Sequence, residues 1–126
     1  MKYLQDYIQD KQTELFNLTG TFFAFSKEQF NEGKKQNVEY VNMGGGMLTN
    51  KEYVETLING LDKIQKEGMA QDLKENGKEK IILRELGNHE AWYDGDIART
   101  FEVLEPYGIT YDEIQRMFRN RKTKLN

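Results

Sequence analysis

Apolar residues recur along this chain at helical spacing, interrupted by short apolar runs that end at glycine. Leu4, Ile8, Leu15 and Leu18 fall near one face of a first helix over about residues 2–17, closed by Thr19-Gly20. Val54, Leu57, Ile58, Leu61 and Ile64 stripe a longer helix running from Thr49 toward the stop signal Asn76-Gly77. Gly60 and Gly68 weaken it, each by about 1 kcal/mol relative to Ala, so Gly68 is the place for a break. Ile82, Leu86, His89 and Tyr93 share a face of a fourth segment over about 78–92. Asp96 is a cap for a short helix ending before Pro106-Tyr107-Gly108, and Thr110 opens the last helix.

Three helix starts carry a compound signal. Ser26 begins S-K-E-Q, Thr49 begins T-N-K-E and Thr110 begins T-Y-D-E. In each, a hydroxyl is placed to satisfy an orphan N–H three residues on, and an apolar pair flanks it: Phe25 with Phe30, Leu48 with Tyr53, Ile109 with Ile114. Strand signals are fewer. Phe22 to Phe25 and Val38 to Met43 are β-type runs, and Gly44-Gly45-Gly46 follows the second. The expected fold is α+β and mostly helical: five or six helices with a small two- or three-stranded antiparallel sheet. One compact domain over residues 1–126 is expected, with 120–126 as a basic tail free to fray.

Composition narrows the chemistry. The 126 residues suit one domain, and 12% aromatics supply a core. No apolar run approaches the roughly 20 residues of a membrane span, and the first ten residues lack the apolar stretch of a secretory signal. A cytoplasmic site and no membrane partner are therefore expected. Cysteine is absent, which excludes disulfides, thiolate catalysis and Cys-based metal sites, and a single His excludes His-rich ones. Ser26 is the only serine and is already explained as a cap. Residues 116–126 hold five bases and no acid, while the first 115 residues hold 13 bases against 21 acids. An acidic body repels phosphate backbones, so nucleic acid is a possible but unfavoured partner. Arg116, Arg119 and Arg121 either complement a helix C-terminus or meet an acidic or nucleic-acid partner.

Two local groupings invite a chemical reading. Gly87-Asn88-His89-Glu90 spells a signature of calcineurin-like metallophosphoesterases, but two-metal hydrolysis needs several more His and Asp ligands than this chain owns. A smaller metal site is the weaker alternative, since His89, Glu90, Asp94 and Asp96 lie within eight residues and suit Mg²⁺ or Mn²⁺. The plainer account makes His89 a half-buried core residue and Asp94-Gly95-Asp96 a turn leading to a cap. No cofactor and no catalytic residue is assigned. Gly44, Gly45 and Gly46 lack a P-loop setting; they form a flexible turn, or an anion nest beside the helix start expected at Thr49.

The blocks Phe23 to Gly33 (F-A-F-S-K-E-Q-F-N-E-G), Gly44 to Gly46, Glu85 to Glu90 (E-L-G-N-H-E) and Tyr107 to Thr110 (Y-G-I-T), in this order, resemble an uncharacterised family of small proteins encoded mostly by phages and prophages. The likeness spans roughly residues 15–120. It implies a phage accessory context and action inside the host cell, with no catalytic assignment. The expected function is non-enzymatic: binding a host protein or ribonucleoprotein, anti-defence inhibition being one form. Gly44 to Gly46, Arg116, Arg119 and Arg121 are the candidate contacts. The alternatives are a metal-dependent nuclease or phosphohydrolase on His89, Glu90, Asp94 and Asp96, and an RNA-binding module using the basic tail.

Overall fold

A computed structural model describes residues 1–125, with side chains described as far as Arg121. Its helices are α1 (Leu4–Thr19), α2 (Lys27–Gly33), α3 (Val54–Asn76), α4 (Lys78–Asn88), α5 (Ala91–Asp94), α6 (Ala98–Leu104) and α7 (Tyr111–Leu125). The strands are β1 (Phe22–Phe23), β2 (Tyr40–Gly44) and β3 (Met47–Asn50), forming one antiparallel sheet in the order β1-β3-β2. The fold is thus α+β and mostly helical, as expected. Seven helices replace five or six because the fourth predicted segment divides: Glu90 takes a left-handed conformation (φ 55°), ending α4 and starting the single turn of α5. That break resets the helical register. Tyr93, expected on the apolar face with Leu86, is 92% exposed. The basic run from residue 120 is helical through Leu125; Asn126 lies outside the described residues. No described helix is long and apolar enough to cross a membrane.

The caps of two of the three helix starts form as read. The Ser26 hydroxyl accepts the Gln29 N–H (3.1 Å), and the Gln29 side chain accepts the Phe25 N–H (2.7 Å). At α7, Thr110 Oγ1 accepts the Glu113 N–H (3.2 Å) while Glu113 Oε1 accepts the Thr110 N–H (3.3 Å). Ile109 and Ile114 are both buried. The staple at Ser26 differs: Phe25 lies against Gly46, and Phe30 joins Phe22 and Tyr40.

The third start is a correction. Thr49 lies in β3, paired with Val41, and is fully buried. Its hydroxyl is 3.1 Å from that of Thr21, which is 2.7 Å from that of Thr19, whose proton goes to the Leu15 carbonyl (2.8 Å). Tertiary hydrogen bonding outcompetes the local cap, and Asn50 takes that role one residue later, accepting the Glu52 N–H (3.0 Å). A 3-10 turn, Lys51–Tyr53, leads into α3.

Contacts divide the chain into two compact units, Leu4–Gly68 and Met1–Tyr3 with the residues from Met69 onward. In the first, Ile8 and Leu15 of α1 are buried, whereas Leu18 and Ile58, expected on apolar stripes, are exposed. Phe22, Phe30 and Tyr40 form an aromatic cluster, with ring centroids 5.2 Å apart for Phe22 and Tyr40. The core of the second holds Ile81, Ile82, Leu86, Leu104, Ile109 and Ile114, and Trp92 stacks on Phe118 (5.0 Å).

α3 runs unbroken through both glycines, and at each of them side chains of α1 pack against the helix where a Cβ would stand. A Cβ at Gly60 would stand 2.7 Å from Leu15 Cδ2, and one at Gly68 would meet Ile8 Cγ2. Glycine here exchanges helix propensity for close packing. The Gly68→Ala variant gains about 1 kcal/mol of helix propensity. It meets a stiff β-branched neighbour, and overpacking of that kind costs about 1–3 kcal/mol. Its urea midpoint should fall, further than that of Gly60→Ala, whose neighbour is the mobile end of a leucine. A rise in midpoint for Gly68→Ala would refute the close approach.

Candidate functional site

The residues marked by sequence do not gather. Asp94 Oδ1 accepts the Asp96 N–H (2.9 Å), and Asp96 Oδ1 accepts the Ala98 N–H (2.9 Å) at the start of α6. Both carboxylates therefore work as turn and cap groups. Glu90 is the left-handed junction between α4 and α5. No three His, Asp or Glu side chains among the described residues are grouped to hold a metal ion. The three glycines, all with positive φ (94°, 61° and 83°), make the tight connection between β2 and β3. The Gly44 N–H is already bonded to Asn42 Oδ1 (2.9 Å). With Thr49 in a strand, the expected anion nest also loses the helix start that was to support it.

His89 instead leads into a buried polar network that sequence reading did not find. Asp72 of α3 is fully buried and receives four hydrogen bonds. Arg84 of α4 donates from Nη1 to Oδ1 (3.2 Å) and from Nη2 to Oδ2 (3.0 Å). Tyr107 donates to Oδ2 (2.6 Å) and Asn76 Nδ2 to Oδ1 (2.8 Å). Arg84 also donates from Nε to Glu85 Oε1 (3.0 Å) and from Nη1 to the Lys2 carbonyl (3.2 Å). His89 Nε2 stands 3.3 Å from Glu85 Oε2 without hydrogen-bond geometry, an ion pair only when the ring is protonated.

Burial pushes the Asp72 carboxyl up, but hydrogen bonds from Arg84, Tyr107 and Asn76 and the Arg84 charge outweigh it, leaving its pKa below the ordinary value of 3.8. Burial and the bond to Asp72 push the Tyr107 phenol up. Burial works against the Arg84 charge, yet its bonds to Asp72 and Glu85 hold the proton more firmly than usual. The Asp72 carboxylate, the Arg84 guanidinium and the Tyr107 hydroxyl are all hydrogen-bonded, while His89 Nε2 beside them is not, so the network's chemistry is to fix α3, α4 and Tyr107 to one another.

The face of α4 away from this network meets α7 across an open groove. Two adjoining hollows of about 200 and 260 Å³ share Glu79, Met117 and Asn120. Ile82, Leu83 and Met117 give them apolar lining, and Lys78, Glu113, Arg116 and Arg121 stand around it. One end is tied by the helix-start box: Glu113 uses Oε1 to cap α7 and Oε2 to hold Lys78 Nζ at 2.8 Å. Those bonds keep the Glu113 pKa below its usual value. Neither Arg116 nor Arg121 is ion-paired with an acid among the described residues. Of the basic residues named from sequence these two line the groove; Arg119 does not. Lys78, Glu79, Ile82, Leu83 and Met117 were missed. The usable signal was the helical spacing of Glu113, Arg116, Met117, Asn120 and Arg121.

A family model covering residues 4–124 matches the chain, and the chain belongs to that family, described as a family of unknown function (DUF7659). No curated protein and no solved structure matches it.

The depressed Asp72 pKa fixes the sign of a pH effect. The contribution is present above the unfolded value near 3.8 and is lost as pH falls through the lower folded value. Wild-type unfolding free energy should therefore fall more steeply below about pH 4 than that of Asp72→Asn, which has no carboxyl to protonate there. Parallel acid profiles in urea titrations would show that Asp72 is not held as an ionised acceptor.

Proposed function

We propose that this family member works by binding a partner macromolecule at the α4–α7 groove and not by turning over a substrate. The observation that carries the reading is the pair Arg116 and Arg121, two guanidiniums with no acidic partner among the described residues, set beside the half-buried apolar side chains of Leu83 and Met117. A charge next to apolar surface loses part of its hydration, so an acid docked there gains more than it would on open surface. Apolar lining adds contact area that a phosphate backbone does not use, which favours a protein partner over nucleic acid. The resemblance to phage-encoded accessory proteins supports a bacterial host protein as that partner, met in the cytoplasm, with inhibition of a defence system as one consequence.

The double variant R116E/R121E tests this. Exposed charge changes of this kind alter stability by about 0.5 kcal/mol or less each, so the fold should persist. Tagged wild-type chain expressed in a bacterium should retain a discrete protein that the variant loses. Equal capture by both would count against the groove, and capture abolished by ribonuclease would transfer the site to RNA.

A further inference from the structure

We propose that the occupant of the groove is an amphipathic helix of a partner protein with one acidic and one basic flank, an inference that rests on the binding reading above. The groove lies between two helices, and its α7 wall runs from Glu113 to Arg121, about 12 Å of helix. That length matches about two turns of a third helix laid alongside, enough for apolar anchors at i, i+4 and i+7. Leu83 and Met117, both half-buried, are the surfaces such anchors would cover, with buried Ile82 as the floor beneath.

The walls differ in charge, and this selects the occupant. Arg116 and Arg121 stand on α7 unpaired with any described acid, whereas Lys78 is already neutralised by Glu113 (2.8 Å). The α4 wall carries Glu79, exposed and in no ion pair among the described residues. A complementary helix therefore carries Asp or Glu on the flank facing α7 and Lys or Arg on the flank facing α4. A uniformly anionic ligand satisfies only one wall, because Glu79 repels it. Arginine suits the first role, since its planar fork binds a carboxylate through two hydrogen bonds.

Selection of random peptides of about 15 residues displayed against the whole protein reads this directly, a length that spans the groove with helical ends to spare. Enriched peptides should show apolar residues at helical spacing, acids on one flank and bases on the other. By fluorescence anisotropy they should bind R116E/R121E at least about tenfold more weakly. Glu79→Lys should reverse the preference on the basic flank. Peptides that need Arg116 and Arg121 but lack helical spacing or the acidic flank would overturn the helical occupant and leave groove binding standing. Peptides indifferent to R116E/R121E would remove both. No enrichment over an unrelated control protein, or displacement of the peptides by a single-stranded RNA oligonucleotide, would also overturn the proposal.

Discussion

A guanidinium and a carboxylate taken out of water together organise the unit that begins at Met69. Asp72 and Arg84 lie on consecutive helices, and their double hydrogen bond at 3.0 and 3.2 Å sets how α4 lies against the end of α3. Neither charge is tolerable alone in that position, because an unpaired buried ion costs several kcal/mol. Tyr107 and Asn76 fill the remaining acceptor sites of Asp72, and Glu85 takes the spare Nε–H of Arg84. A hydrophobic pair of similar size would match the network in net stability. What the ions add is geometry, since each bond is satisfied in one arrangement of the elements that carry them.

That geometry decides what α4 shows on its other side. Ile81, Ile82, Glu85 and the Arg84 side chain are buried, so Lys78, Glu79 and Leu83 are what α4 shows on the groove, with Ile82 as its floor. The α7 wall is fixed by a different device. The Thr110 box gives Glu113 its orientation, and the same carboxylate reaches across to Lys78. One side chain is thereby both a helix cap and the tie between the two walls. Arg116 and Arg121 follow along α7 on the two edges of the stripe that Glu113, Met117 and Asn120 complete, and both line the groove.

Signals confined to a few consecutive residues were legible in the sequence. Ser26 and Thr110 cap helices as their boxes predict, and the triple glycine is a turn. Thr49 carries the same local pattern and becomes a strand residue, because Thr21, itself bonded to Thr19, offers its hydroxyl a half-buried partner that no local reading can see. Gly60 and Gly68 read as weak points and are close-packing points, since their value lies in α1, far away in sequence. Asp72 and Arg84 were invisible for a related reason. Each sits in a charged helix among eighteen bases and twenty-one acids, and burial alone distinguishes them. The groove was half legible: charge counting found Arg116 and Arg121, and the apolar residues beside them became a surface only once α4 and α7 met.

The coupling between Asp72 and Arg84 is what holds α4 against the end of α3. A double-mutant cycle with Asp72→Leu and Arg84→Met, read by urea unfolding, measures it. Arg84→Met strands Asp72, and Asp72→Leu leaves Arg84 only Glu85 as an acidic partner, so each single variant should lose about 3–5 kcal/mol. The double variant strands neither member of the pair and should recover part of that loss, Glu85, Tyr107 and Asn76 having lost the bonds they made to it. Additive losses, with the double variant as unstable as the two single changes summed, would contradict the pair as the interaction that sets α4 in place.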